Sequence, residues 1–77
     1  MKAQLIEKIV GCRFNSFAAI KVELQAMLEE DVSIEEHGAD KEANDHQLDG
    51  EWGNQNAFSI WYLRDLQGLY YITEVQS

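Results

Sequence analysis

The stretch from Ala57 to Gln76 constrains this chain more than any other, because it has the composition and the punctuation of a β-hairpin. Two segments, 57–64 and 69–75, are rich in β-branched and aromatic residues and have the length of strands. Between them, Asp65-Leu66-Gln67-Gly68 suits a type I turn closed by a left-handed glycine, the three-residue hairpin loop. Asp65 can accept from nearby backbone N–H groups, and Gly68 reaches positive φ without a Cβ penalty.

If Asp65 pairs with Leu69, Leu63 faces Tyr71 and Trp61 faces Thr73 on one side of the hairpin. Tyr62 then faces Ile72, and Ile60 faces Glu74, on the other. A two-residue turn at Gln67-Gly68 would shift the register by one and re-sort the faces. In either register both faces carry large apolar groups: Phe58, Ile60 and Tyr62 on one, Trp61 and Leu63 on the other. One helix covers only one of them. The second is left for the middle of the chain, a dimer partner or a binding function.

That helix is predicted between Phe17 and Glu30, after a cap at Asn15-Ser16. Phe17, Ile20, Leu24, Met27 and Leu28 recur at three and four and form one apolar stripe, whose target is the hairpin. The acids at its end, Glu29-Glu30-Asp31, sit where the helix dipole is already negative. Upstream, the paired apolar spacing of Ala3 to Arg13 also fits a short helix, but the segment reads as a first strand, since Gly11 and the β-branched residues weaken a helix. Glu7 and Lys8 place it at an edge or a bulge. Cys12 would close this strand as a small buried residue; as the chain's one cysteine it permits no intramolecular disulfide, which fits a reducing cytosol.

Val32-Ser33-Ile34 alternates briefly, as a short strand would. Residues 35–56 then hold few apolar side chains and three glycines, with room for a short helix over Ala39 to Gln47. A connection this long is unusual in a domain of 77 residues and reads as an acidic excursion that is functional, mobile or both. The expected architecture is therefore α+β, in a single domain of residues 1–77. One helix packs on a three- to four-stranded antiparallel sheet, in the order β-α-(β)-β-β, ending in the C-terminal hairpin.

The net charge of −8 is not spread evenly. Glu29, Glu30, Asp31, Glu35, Glu36, Asp40, Glu42, Asp45, Asp49 and Glu51 face Lys41 alone within residues 29–51, whereas the rest of the chain holds four acids and five bases. Such a surface repels nucleic acid and anionic membranes and draws in basic partners. Trp52 beside it reads as an exposed aromatic anchor for an arginine-rich surface. The same run also reads as a solvated loop that keeps a small protein soluble.

No catalytic or cofactor constellation emerges. Asp40, Glu42, Asn44, His46, Leu48 and Glu51 fall at the ligand positions of a calcium loop, but Asp45 stands where glycine is needed. A frame starting at Asp45 takes Gln47, Asp49 and Gly50 correctly and ends on Asn56, which is not a bidentate carboxylate. His37 and His46 are not brought together by any spacing, and nothing places either beside Cys12. Serine-nucleophile motifs and phosphate-cradling glycine loops are absent, and there is no apolar run long enough for a signal peptide or a membrane span.

These features predict a cytoplasmic, non-catalytic binding protein with no cofactor. Its acidic residues and Trp52 would engage a basic protein surface, one that normally holds nucleic acid and that spaced carboxylates can imitate. In size, acidity and α+β economy the chain resembles the small phage-encoded inhibitors of host defence, anti-CRISPR proteins among them. The likeness is to a class and assigns no residue a role. The alternative is a homodimeric module joined through the exposed hairpin face, with the acids serving only solubility.

Overall fold

A computed structural model describes residues 2–36 and 46–77. The chain opens with a 3-10 helix, Lys2–Ile9, followed by strand β1 (Arg13–Phe14), helix α1 (Phe17–Leu28) and β2 (Val32–Glu36). Strands β3 (His46–Trp52), β4 (Asn56–Arg64) and β5 (Tyr70–Gln76) complete it. All five strands pair antiparallel in one sheet of order β1-β5-β4-β3-β2. The α+β class holds, and the sheet has five strands where three or four were expected.

Helix α1 begins as its sequence dictates. Ser16 is extended, and its hydroxyl accepts from Ala19 N at 3.0 Å, satisfying one of the N–H groups that the first turn leaves open. Ile20, Leu24 and Leu28 are fully buried, and Phe17 and Met27 pack beside them. At the far end Gln25 Oε1 accepts from Val32 N at 3.2 Å, tying the helix to the start of β2.

The apolar stripe meets one face of the sheet, formed by Val32, Leu48, Phe58, Ile60, Tyr62, Ile72 and Val75. Burying a side chain of this kind contributes about 1.5–3 kcal/mol, so this shared surface is what folds the chain.

The hairpin follows the Asp65–Leu69 register. Asp65 N donates to Leu69 O at 2.9 Å, Gly68 N to Asp65 O at 3.0 Å, and Gly68 has φ 81°. Leu63 faces Tyr71 and Tyr62 faces Ile72, as expected. Beyond them the expected pairs fail: Trp61 lies opposite Glu74 and Ile60 opposite Val75. Thr73 is an extra residue in β5, a bulge whose hydroxyl donates to Trp61 O at 3.2 Å. The reason is apolar phase. Ile72 and Val75 are three apart and would point to opposite faces of an unbroken strand; with the bulge both are buried.

The N-terminal segment corrects the sequence reading. Residues 2–9 form a helical turn structure, not a strand, because Ile6 and Ile9 stand three apart and both enter the core at 0% and 2% exposure. A strand would have sent them to opposite sides. Packing outweighs their β-branched preference here. Gly11, at φ 87°, turns the chain so that Gly11 N donates to Ile72 O and only Arg13–Phe14 pair with β5. Cys12 is exposed rather than buried.

The middle of the chain is also corrected. Residues 35–36 and 46–56 belong to the sheet and its β3–β4 turn, so they are no excursion. A helix over Ala39 to Gln47 conflicts with the extended backbone of His46 and Gln47; its remaining positions lie outside the described residues. Strands β3 and β4 are joined by Gly53-Asn54-Gln55, with positive φ at Gly53 and Gln55 and with Asn56 Nδ2 donating to Trp52 O. Among the described residues no helix is long and apolar enough to cross a membrane.

Candidate functional site

The 3-10 helix and α1 contribute to a single buried cluster on one side of the sheet. The other side carries no described helix or strand, and the registers sort its residues into four cross-strand rungs. The first is Arg13–Tyr71–Leu63, spanning β1, β5 and β4. The second is Glu74–Trp61–Gln47, and the third Gln76–Ser59–Asp49–Glu35. The last is Ala57–Glu51–Ser33. Aromatic and apolar groups thus occupy the rungs nearest the β4–β5 loop, and carboxylates occupy those nearer the β3–β4 turn.

The acidic half is a shallow hollow of about 610 Å3, lined chiefly by Ser33, Glu35, Asp49, Glu51, Ser59 and Gln76. Asp49 Oδ1 accepts from Gln47 Nε2 at 2.9 Å and from Ser59 Oγ at 3.1 Å, which fixes this carboxylate against the strands. Glu35 and Glu51 are exposed, and among the described residues no base pairs with either. Directly opposed positions such as Glu35 and Asp49 lie about 4.5–5.5 Å apart at Cβ, and same-face neighbours such as Asp49 and Glu51 about 6.6–6.8 Å apart along the strand. The row therefore concentrates negative charge on one surface.

The structure gathers only part of the predicted acidic set there. Glu36 falls on the helix side of the sheet edge, paired with Leu48. The Tyr62 hydroxyl has its pKa raised, first by burial and then by Glu36 and Tyr70. Glu29, Glu30 and Asp31 line a separate hollow of about 450 Å3 with Gln25, at the end of α1. Glu29 adopts the left-handed conformation at φ 56°, so it combines a strained backbone with a charge at the unfavourable end of the dipole. Asp40, Glu42 and Asp45 lie outside the described residues.

Trp52 corrects the expectation of an exposed anchor: it is half-buried on the helix side, packed against the core, while its neighbour Glu51 points the other way. The aromatic residue that does stand on the open face is Trp61, with Leu63 (51% exposed) and Tyr71 beside it. The hairpin alternation carried that signal from the start. Tyr62, by contrast, is 6% exposed within the core, where it stacks on His46 and meets Phe17 and Tyr70 edge-on.

Both arginines of the chain are seated on tyrosines. Arg13 lies 4.7 Å over the Tyr71 ring and its Nε is 3.3 Å from Asp65 Oδ2. Arg64 lies 4.4 Å over Tyr70, with Nη1 donating to the phenol oxygen and Nε to Gly68 O.

Asp65 accepts from Leu69 N and Gln67 N, both at 2.9 Å. These bonds, the first above all, hold its pKa below the ordinary value, and the Arg13 guanidinium adds to the effect. A depressed carboxyl stabilises the fold above its unfolded pKa of about 3.9, and that contribution is lost as the pH falls through the folded value. Asp65→Asn keeps an oxygen for the two N–H groups but loses the charge. The thermal midpoint of the wild type should therefore exceed the variant's at neutral pH, and the gap should close below about pH 4. A gap that persists in acid would show that the charge contributes nothing.

Where the two calcium frames overlap the described residues, they fall largely on strand β3. In the first, Leu48 is buried in the core and Glu51 lies on the extended strand β3, while Asp40, Glu42 and Asn44 are outside the described residues. In the second, Gln47 and Asp49 are strand residues bonded to each other. Among the described residues no group of three or more His, Cys, Asp or Glu is placed to hold a metal ion. Comparison of the chain with protein-family models, with curated proteins and with solved structures returned no match.

Proposed function

We propose that this chain is a small, non-catalytic binding protein that engages a basic surface of another protein through the open face of its sheet. An inhibitory role follows if that basic surface is one that normally holds nucleic acid, since the carboxylates would then take the place of phosphates. The observation that carries the reading is the register of β2, β3 and β4, which puts Glu35, Asp49 and Glu51 together on a face that no described element covers. Net charge supports it as well: at −8, the chain repels polyanions and accelerates encounter with cations. Unlike the acids at the end of α1, these lie on adjacent rungs of a rigid sheet, so they present fixed spacings.

The test is binding of a fluorescent arginine-rich peptide, followed by anisotropy over a salt series. Affinity should fall steeply with salt, and Glu35→Gln with Glu51→Gln should weaken binding roughly tenfold at low salt and flatten the dependence. Binding that ignores ionic strength, or that survives the double substitution unchanged, would reject the proposal.

Exposure of Leu63 beside Trp61 and Tyr71 favours a second reading, a homodimer joined through this face. Each copy would bring Glu35, Asp49, Glu51 and Glu74 against Arg13 as the face's sole described base, so stacking two such faces confines like charges. Trp61 is the residue whose replacement separates the two readings; Tyr62, being internal, does not report on the surface.

A further inference from the structure

We infer that the Trp61–Glu74 rung of the open face is a seat for an arginine side chain of the basic partner. The inference rests on the proposal above and deepens it, since it specifies guanidinium rather than positive charge in general.

The argument starts from what the chain does with its own arginines. Arg13 occupies the first rung, 4.7 Å over Tyr71, with a carboxylate at its edge, Asp65 Oδ2, 3.3 Å from Nε. Ring below and carboxylate at the side are the two contacts a planar guanidinium makes best, because its face stacks and its edge donates. The next rung repeats the two partners. Trp61 and Glu74 are directly opposed on β4 and β5, on the same face as Arg13 and Tyr71. Tryptophan is the strongest of the aromatic rings toward a cation. Trp61 is half-exposed and Glu74 exposed, and no base among the described residues lies against either. Both arginines of the chain are already committed to tyrosines.

The surroundings favour a partner's arginine over a second copy of this chain. Beyond the Trp61–Glu74 rung lie Asp49 and Glu35, then Glu51, so further basic side chains of the same partner would find carboxylates in sequence across the face. Toward the β4–β5 loop lies Leu63, an apolar contact for the stem of a long side chain. A second copy would bring the same acids back.

Lysine offers the charge without the plane, which makes the test direct. Arginine and lysine homopeptides of equal length, each fluorescently labelled, are titrated with the intact protein at low and high salt. The wild type should favour the arginine peptide by about three- to fivefold, a margin that persists at high salt. Trp61→Ala and Glu74→Gln should each reduce the ratio to about one, and Trp61→Phe should keep part of it. Glu35→Gln with Glu51→Gln should weaken both peptides alike and leave the ratio intact.

Equal binding of the two peptides by the wild type would overturn the inference while leaving the proposed function standing. Failure of both peptides to bind would remove that function as well. Concentration-dependent dimerisation abolished by Trp61→Ala, seen by sedimentation, would assign the rung to a second copy instead. Unfolding midpoints of all variants establish that the fold is retained; if Trp61→Ala does not fold, Glu74→Gln decides the question.

Discussion

Replacement of Ile60 by alanine is expected to unfold a large part of the population at ambient temperature. Ile60 is fully buried at the middle of β4, paired with Leu48 on one side and Val75 on the other. Truncating such a residue costs about 2–5 kcal/mol, combining lost transfer energy with the cavity left behind. A domain of this size has about 5–15 kcal/mol in total, and a short chain lies toward the low end. Since β4 is flanked by strands on both sides, collapse around the hole would need movement of three strands together, so the upper half of the range applies. Urea unfolding followed by circular dichroism measures the loss. A change below about 1 kcal/mol would mean that the centre of the sheet is not where the stability resides.

The second large effect is at a residue with no side chain. Gly50 sits on the helix side of β3, and the Phe58 ring from β4 lies across it. A Cβ there would collide with Phe58 Cζ, lie 2.8 Å from Cε2 and approach the Ser33 carbonyl oxygen to 2.7 Å. The ring edge can rotate; the Ser33 oxygen belongs to the backbone of β2 and cannot move without disturbing the β2–β3 pairing. Gly50→Ala should therefore destabilise by about 1–3 kcal/mol, even though removing glycine from the unfolded chain returns about 0.4–1 kcal/mol. At roughly 4–8 °C per kcal/mol, the thermal midpoint should drop visibly, and Gly50→Val should be worse. An unchanged midpoint for Gly50→Ala would show that the two strands are less closely held than their packing implies.

The same glycine explains why β3 was hard to read from sequence. His46, Leu48, Gly50 and Trp52 alternate with Gln47, Asp49 and Glu51, which is the pattern of a half-buried strand. A glycine at an inward position removes the apolar residue that would have completed it, because a neighbour's ring supplies that volume. Helix α1 and the hairpin loop were legible for the opposite reason. Their determinants, the Ser16 cap, the Ile20–Leu24–Leu28 stripe and the Asp65–Gly68 turn, act within a few residues. The 3-10 helix was not, since Ile6 and Ile9 owe their arrangement to contacts with α1 and β5. The candidate face was half legible. That the hairpin has a second apolar side followed from alternation, but which acids join it depends on the β2–β3 and β3–β4 registers, which no local signal specifies.

The bulge at Thr73 has a consequence for the outer surface as well as for the core. In an uninterrupted strand Tyr71 and Glu74 would project in opposite directions. The half-step inserted at Thr73 resets the pleat, so β5 is in effect two short ribbons of different phase sharing one backbone. The adjustment that brings Val75 inward is therefore also what turns Glu74 outward beside Trp61, and a one-residue irregularity in spacing sets both the interior and the chemistry of the exposed side.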